Sequence, residues 1–170
     1  MVFTGGTALN VVNNYKLKKH FKNYNLWFDP LCGDVGNSIG AVYAVMYLNK
    51  KSIKPLKNIY LGSEINNFEE QLEKNEKLIK DVNIDRIIKL LNEGEVVGLI
   101  QGKAEAGPRA LGNRSLLLDP TLPNAKDIMN RIKKREAFRP FACTIIEEKV
   151  NKYFDMEKTQ YMMLAAQAKK

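Results

Sequence analysis

Gln101-Gly-Lys-Ala-Glu-Ala-Gly-Pro-Arg-Ala-Leu-Gly-Asn-Arg-Ser115 is the stretch on which the reading of this chain turns. The apolar run ahead of it, Val96-Val-Gly-Leu-Ile-Gln101, has strand length and the composition of a strand central in a sheet. Behind it, residues 115–119 read as a second strand, ended by Asp119-Pro120. Strand, glycine-rich turn and strand place Arg109 and Arg114 in a turn whose Gly107 and Gly112 let backbone approach a ligand. Further on, Lys133-Lys-Arg-Glu-Ala-Phe-Arg-Pro-Phe-Ala142 adds Lys133, Arg135 and Arg139.

The distribution of charge sharpens this reading. The chain has 170 residues and a net charge of +8, and no arginine precedes Arg86. Of its 27 basic residues 21 are lysine and 6 arginine, and four of those arginines (109, 114, 135 and 139) lie in the two quoted runs. Lysine is the surface cation here, whereas the planar arginine fork suits bidentate grip on phosphate or carboxylate. The expected ligands are a phosphorylated small molecule and a nucleotide. Arg109 and Arg114 would neutralise charge, Asn113 and Ser115 would orient the ligand, and Lys133 and Arg135 would reach one anion from an extended segment. Structural arginine–carboxylate pairing is the competing reading.

Other features bound the class. No apolar run approaches the ~20 residues of a membrane helix, and the N-terminus lacks the basic and long apolar regions of a signal peptide. A cytoplasmic protein with no membrane partner is expected. Cys32 and Cys143 form no CxxC pair and read as free thiols. The one histidine, His20, lies in a lysine-rich segment, so a Cys–His catalytic pair has no sequence support.

Taken in order, Thr4-Gly-Gly-Thr-Ala-Leu-Asn10 reads as a tight turn and a short helix capped by Thr7, either a phosphate contact or a plain helix start. Residues 16–25 form a solvated basic surface. Gly33-Asp-Val-Gly-Asn-Ser-Ile-Gly40 is a glycine-rich loop feeding an amphipathic helix that ends at Lys50-Lys51, and its Asp34 either caps that helix or holds a divalent cation. A short strand is expected at 59–61, then a helix from Asn67 to about Lys80. A helix at 84–92 buries Ile84, Ile87, Ile88 and Leu91 and is stopped by Gly94. Residues 125–133 form a helix capped by Asn124. Strands at 141–146 and 161–167 flank a short helix at 147–154. Phe138 and Phe141 read as core.

These runs, together with Gly5-Gly-Thr-Ala-Leu-Asn10, Gly33-Asp-Val-Gly-Asn-Ser-Ile-Gly-Ala41 and Tyr161-Met-Met-Leu164, resemble the nodulation-type and antibiotic-biosynthesis O-carbamoyltransferases in order and spacing. The resemblance covers residues 3–167. It implies an α/β protein: the C-terminal part of an actin/sugar-kinase-like ATPase-fold transferase domain (1–80), then a partial YrdC-like α/β domain (81–170). The YrdC-like domain makes carbamoyl adenylate from carbamoyl phosphate and ATP, with Mg2+. The transferase domain passes the carbamoyl group to a hydroxyl of a small-molecule acceptor.

Carried over by residue, Gly5, Gly6 and Asn10 belong to the nucleotide-binding turn, and Asp34 is one ligand of an iron-type divalent metal. Lys133 and Arg135 match the Lys-x-Arg pair used on nucleotide and phosphate. Arg109, Arg114 and Ser115 serve carbamoyl phosphate or the adenylate, with Lys103, Gly107, Asn113 and Arg139 beside them. The chain departs from the family in having Lys103-Ala-Glu-Ala106 for Arg-Met-Glu-Phe, and Cys143 for proline. It also lacks the histidine motif that supplies the other metal ligands, so a partner is expected: the missing N-terminal half as a separate chain. The alternatives are a non-catalytic nucleotide- or RNA-binding module and an inactive truncated product. Nucleic acid is not the expected partner, because aromatics are not interleaved with the basic run.

Overall fold

A computed structural model describes residues 1–66, 68–74 and 78–169. Its elements are, in order, β1 (Val2–Phe3), α1 (Val11–His20), β2 (Trp27–Phe28), α2 (Asn37–Leu48), α3 (Phe68–Lys74), α4 (Ile84–Asn92), β3 (Val97–Ile100), β4 (Arg114–Leu117), α5 (Ala125–Ile132) and α6 (Val150–Tyr153). Short 3-10 turns precede α1, α2 and α6 at Gly6–Leu9, Asp34–Gly36 and Glu147–Lys149. This mixture of helices and small sheets agrees with the α/β class. No helix among the described residues is long and apolar enough to cross a membrane.

Two compact units interleave along the chain. The first comprises Met1–Leu61, Glu105–Leu111 and Thr144–Lys170. Its β1 and β2 pair in parallel, Val2 opposite Trp27 and Phe3 opposite Phe28, with α1 as the crossover. The Phe3 and Phe28 rings stack at 5.0 Å between centroids. Around them Ala8, Phe28, Cys32 and Met163 are buried, flanked by Leu9, Leu17, Leu26, Tyr161 and Leu164. This core is small, and polar groups reinforce it. Asn14 is buried, and its Nδ2 donates to the Ala8 carbonyl at 2.7 Å and the Met163 carbonyl at 3.0 Å. The amide of Ala165 donates to the Val11 carbonyl. At the other end of α1, Tyr15 and Lys19 hold Asp155.

The second unit comprises Gly62–Ala104 and Gly112–Cys143. Asn83 accepts from the Arg86 amide and starts α4, and Gly94, at φ +81, ends it. β3 and β4 pair antiparallel, with Val97 opposite Leu117 and Ile100 opposite Arg114. α5 follows and buries Met129 and Asn130.

Helices 84–92 and 125–133 and the strand pair around the glycine-rich turn therefore stand close to where periodicity puts them. Other expectations are corrected. Residues 59–61, 141–146 and 161–167 form no strand; among the described residues the sheets pair only β1 with β2 and β3 with β4. An isolated bridge, Phe154 to Ala168, lies just beyond the last of these segments. β3 is consequently not central. Thr7 does not cap a helix; Asn10 does, accepting from the Asn13 amide at 3.0 Å. Residues 16–20 are the end of α1, and their lysines are exposed, as a solvated basic surface requires. Ile84, 70% exposed, and Ile88 lie outside any core, as do Phe138 and Phe141. Asn124 leads α5 without a side-chain cap. The Asn67 cap lies outside the described residues; α3 is observed over Phe68–Lys74, and residues 78–80 are not helical, so the helix does not reach Lys80 as expected.

Two outcomes check this account of the first unit. Replacing Asn14 by Leu strands two buried carbonyls and should cost about 2–4 kcal/mol in urea unfolding. The hydrogen bond from Lys19 holds the Asp155 carboxyl below its ordinary value of 3.8 and the Lys19 ammonium above its ordinary 10.5. The carboxylate's contribution is thus present above about pH 3.8 and lost as pH falls through its lower folded value. The ammonium's contribution is present below about 10.5 and lost above it. Hydrogen exchange of residues 153–169 should therefore accelerate selectively below pH 4, and Asp155→Asn should remove that acid step.

Candidate functional site

The glycine-rich turn is divided between the two units. Its ends, up to Ala104 and from Gly112, belong to the second unit, and Glu105–Leu111 belongs to the first. Each half is held by its own side chains.

In the first unit the Leu111 amide donates to the Glu105 carboxylate at 2.6 Å, and the Ala106 amide to the Ile59 carbonyl at 2.7 Å. Tyr60 donates its hydroxyl to the Leu111 carbonyl. Burial, then the Glu105 carboxylate, pushes the Tyr60 phenol above its ordinary value. Arg109 sends Nη2 to the Leu9 carbonyl at 3.1 Å and Nη1 to the Met163 sulfur at 2.9 Å. Burial raises the Cys32 thiol, with Arg109 acting against it, so Cys32 is a core thiol and not an activated one. Gly107 sits at φ +115 with its Cα side against Leu31, a conformation that favours glycine.

In the second unit Arg114 spreads over four carbonyls: Nη1 on Gln101 and Asn113, each at 2.8 Å, and Nη2 on Ser63 and Gly102, each at 3.1 Å. Asn113 donates to the Lys103 carbonyl, and Ser115 Oγ accepts from the Gly112 amide. These groups set the shape of the turn. Beyond α5, Lys133 is the helix C-cap and Lys134 adopts φ +49, so the segment turns back instead of extending. Asn130 makes that turn: its Nδ2 donates to the carbonyls of Ala137 and Arg139, and its Oδ1 accepts from Arg135 Nε at 2.6 Å. Arg135 stacks on Phe141, 4.1 Å from the ring centroid, and Lys133 Nζ lies 5.9 Å from the same centroid. The turn therefore brings these two cations together by a route the sequence did not suggest. Arg139 pairs with Glu136 at 2.8 Å.

Elsewhere in the first unit a cleft of about 470 Å³ opens between the loop after β2 and the start of α2. Thr4, Asp29, Gly33, Gly36, Asn37 and Gly40 contribute to its wall. Gly5, Gly6 and Asn10 do not line it, and Asn10 is occupied as a helix cap. Asp34 starts the 3-10 turn ahead of α2, whose N-cap Gly36 has no side-chain hydrogen bond, so the capping reading of Asp34 is not realised. Among the described residues no three His, Cys, Asp or Glu side chains gather to hold a metal ion. One carboxylate is too small a donor set for a divalent metal. Asp29 and Asn130 were missed in the sequence. Neither carries a motif or spacing signal that singles it out.

Residues 88–170 match the family model described as Carbamoyltransferase C-terminus. An uncharacterized protein of Synechocystis is 38% identical across 98% of this chain and 30% of its own length. An uncharacterized protein of Methanocaldococcus jannaschii is 37% identical across 90% of this chain and 31% of its own length. The Nodulation protein NolNO of Sinorhizobium fredii is 35% identical across 89% of this chain and 24% of its own length. The chain thus spans less than a third of these relatives.

Asn130→Ala should release the carbonyls of Ala137 and Arg139 and the Arg135 guanidinium. A loss of about 2–3 kcal/mol is expected, with faster amide exchange confined to residues 133–140. A Cβ at Gly36 would run into the Leu31 carbonyl oxygen. Gly36→Ala should therefore distort the cleft wall and cost about 1–3 kcal/mol, read by thermal unfolding.

Proposed function

We propose that this chain, whose residues 88–170 match the Carbamoyltransferase C-terminus model, belongs to the carbamoyltransferases and forms part of an enzyme that activates carbamoyl phosphate with ATP and transfers the carbamoyl group to a hydroxyl of a small-molecule acceptor. In the complete protein the segment up to about residue 80 would close an ATPase-fold transferase domain. The segment after it would open a YrdC-like adenylate-forming domain. The observation that carries this reading is the family match over a segment whose glycine-rich turn is held in one shape by Arg114, Asn113 and Ser115.

The reading assigns different work to the arginines and the lysines. Arg109 and Arg114 spend donors on backbone carbonyls, so they shape the ligand-facing backbone more than they neutralise charge. Lys133 holds no backbone carbonyl among the described residues, and with Arg135 it presents positive charge beside Phe141. Water releases inorganic phosphate from carbamoyl phosphate, and the carbamate oxygen then displaces pyrophosphate from ATP to form the adenylate; negative charge builds at the α-phosphate, where preorganised cations act without reorganising. Lys133 and Arg135 are the groups proposed for that role, with Lys103 at the carbamoyl phosphate. The cleft at α2 has the volume of a small-ligand site, small residues on its wall and a helix start beside it, which suits a nucleotide. Magnesium would accompany the ATP. A metal in the transferase domain would need ligands besides Asp34, and no step is assigned to one here.

The test is pyrophosphate release from ATP, dependent on carbamoyl phosphate, by an assembled enzyme that contains this chain. Lys133→Ala should lower the rate by about 100-fold or more, while amide exchange in α5 stays unchanged. Release that ignores carbamoyl phosphate, or an unaffected Lys133→Ala, overturns the assignment. Tight RNA binding that weakens steeply with salt, without ATP binding, would point instead to a nucleic-acid module.

A further inference from the structure

α2 has an exposed surface that does not suit a helix facing water. From Asn37 to Leu48 it has no charged residue, although the chain carries +8. None of its residues is buried. Val42, Val45, Tyr47 and Leu48 are exposed by 57%, 59%, 75% and 77%. At ~100° per residue these four side chains spread over more than half the circumference of the helix. A helix that is apolar nearly all round belongs in an interior. α1, in the same unit, is the contrast: it turns Lys16, Lys18 and Lys19 outward, as a solvated helix does.

We infer that α2 is the seat of the carbamoyltransferase polypeptide that lies outside this chain, and that this polypeptide covers it as one wall of a shared core. The inference rests on the family reading above. The relatives supply the occupant's size. Each matches nearly all of this chain, α2 included, within less than a third of its own length, so each has ample polypeptide left to cover such a face. The chemistry of the face supplies its kind. A neutral face of valine, tyrosine and leucine offers nothing to a polyanion, and on a strongly basic chain it selects an apolar protein surface. A second copy of this chain fits less well. A 12-residue helix is only ~18 Å long, so a symmetric α2–α2 contact would fall well short of the ~800 Å² per partner of a stable interface.

The experiment expresses this chain together with the part of the Synechocystis relative that lies outside its matched segment. A one-to-one complex is expected, with the amides and side chains of residues 37–48 protected in hydrogen exchange and labelling. Val45→Lys and, separately, Val42→Lys should weaken the complex on the order of 100-fold. Both positions are exposed, so exchange in α1 should not change in either variant. Absence of a complex, a complex that leaves α2 unprotected, or indifference to both substitutions overturns the inference. So does dimerisation of the chain alone with α2 protected, or protection of α2 by anionic lipid vesicles. The outcome is separable from the catalytic reading. A protected complex without carbamoyl-phosphate-dependent pyrophosphate release would retain this inference and sink the proposed reaction, and turnover with α2 exposed would do the reverse.

Discussion

The Nδ2 group of Asn14 joins the carbonyls of Ala8 and Met163, residues on either side of nearly the whole chain. The first unit depends on this contact because little else is buried near it. Its hydrophobic cluster holds Ala8, Phe28, Cys32 and Met163, and two-residue strands give few ladder bonds. A satisfied buried amide then does what a larger core would otherwise do: it specifies which segment docks and in what register. The second unit repeats the device. Asn130, equally buried, holds the carbonyls of Ala137 and Arg139 and orients Arg135.

The arginines follow the same logic. Arg114 gathers four carbonyls from three stretches of chain, and Arg109 takes the Leu9 carbonyl and the Met163 sulfur. A guanidinium is suited to this because its donors lie in a rigid plane and its charge never titrates. Scarcity of arginine therefore marks positions of structural consequence as well as contact with anions. Around a phosphate site the two uses are compatible.

The family match and the exposed surface bear on each other. The chain matches relatives over less than a third of their length, and its α2, uncharged and exposed, has the composition of an interior wall. Ile84 and Ile88 on α4 repeat the pattern in the second unit. Sequence periodicity read these as buried faces, and for the free chain they are not. Periodicity reports which side of a helix is apolar, not whether anything covers it.

From the sequence alone, α4 and α5, the strand pair around the glycine-rich turn, the glycines at positive φ and the carbamoyltransferase kinship were legible. Each rests on local spacing, on backbone chemistry or on a long ordered motif. The expected strands at 59–61, 141–146 and 161–167 failed because an apolar run becomes a strand only where a partner edge is present, and none is formed there. Only the tertiary structure decided what the site residues do. It turned Asn10 into a cap and Arg109 and Arg114 into carbonyl clamps. It brought Lys133 and Arg135 to one aromatic ring, and it set Asp29 in place of Gly5 and Gly6 at the cleft. The physical reason is that a residue type states what bonds it can make. Which bonds it does make depends on groups brought beside it from distant parts of the chain.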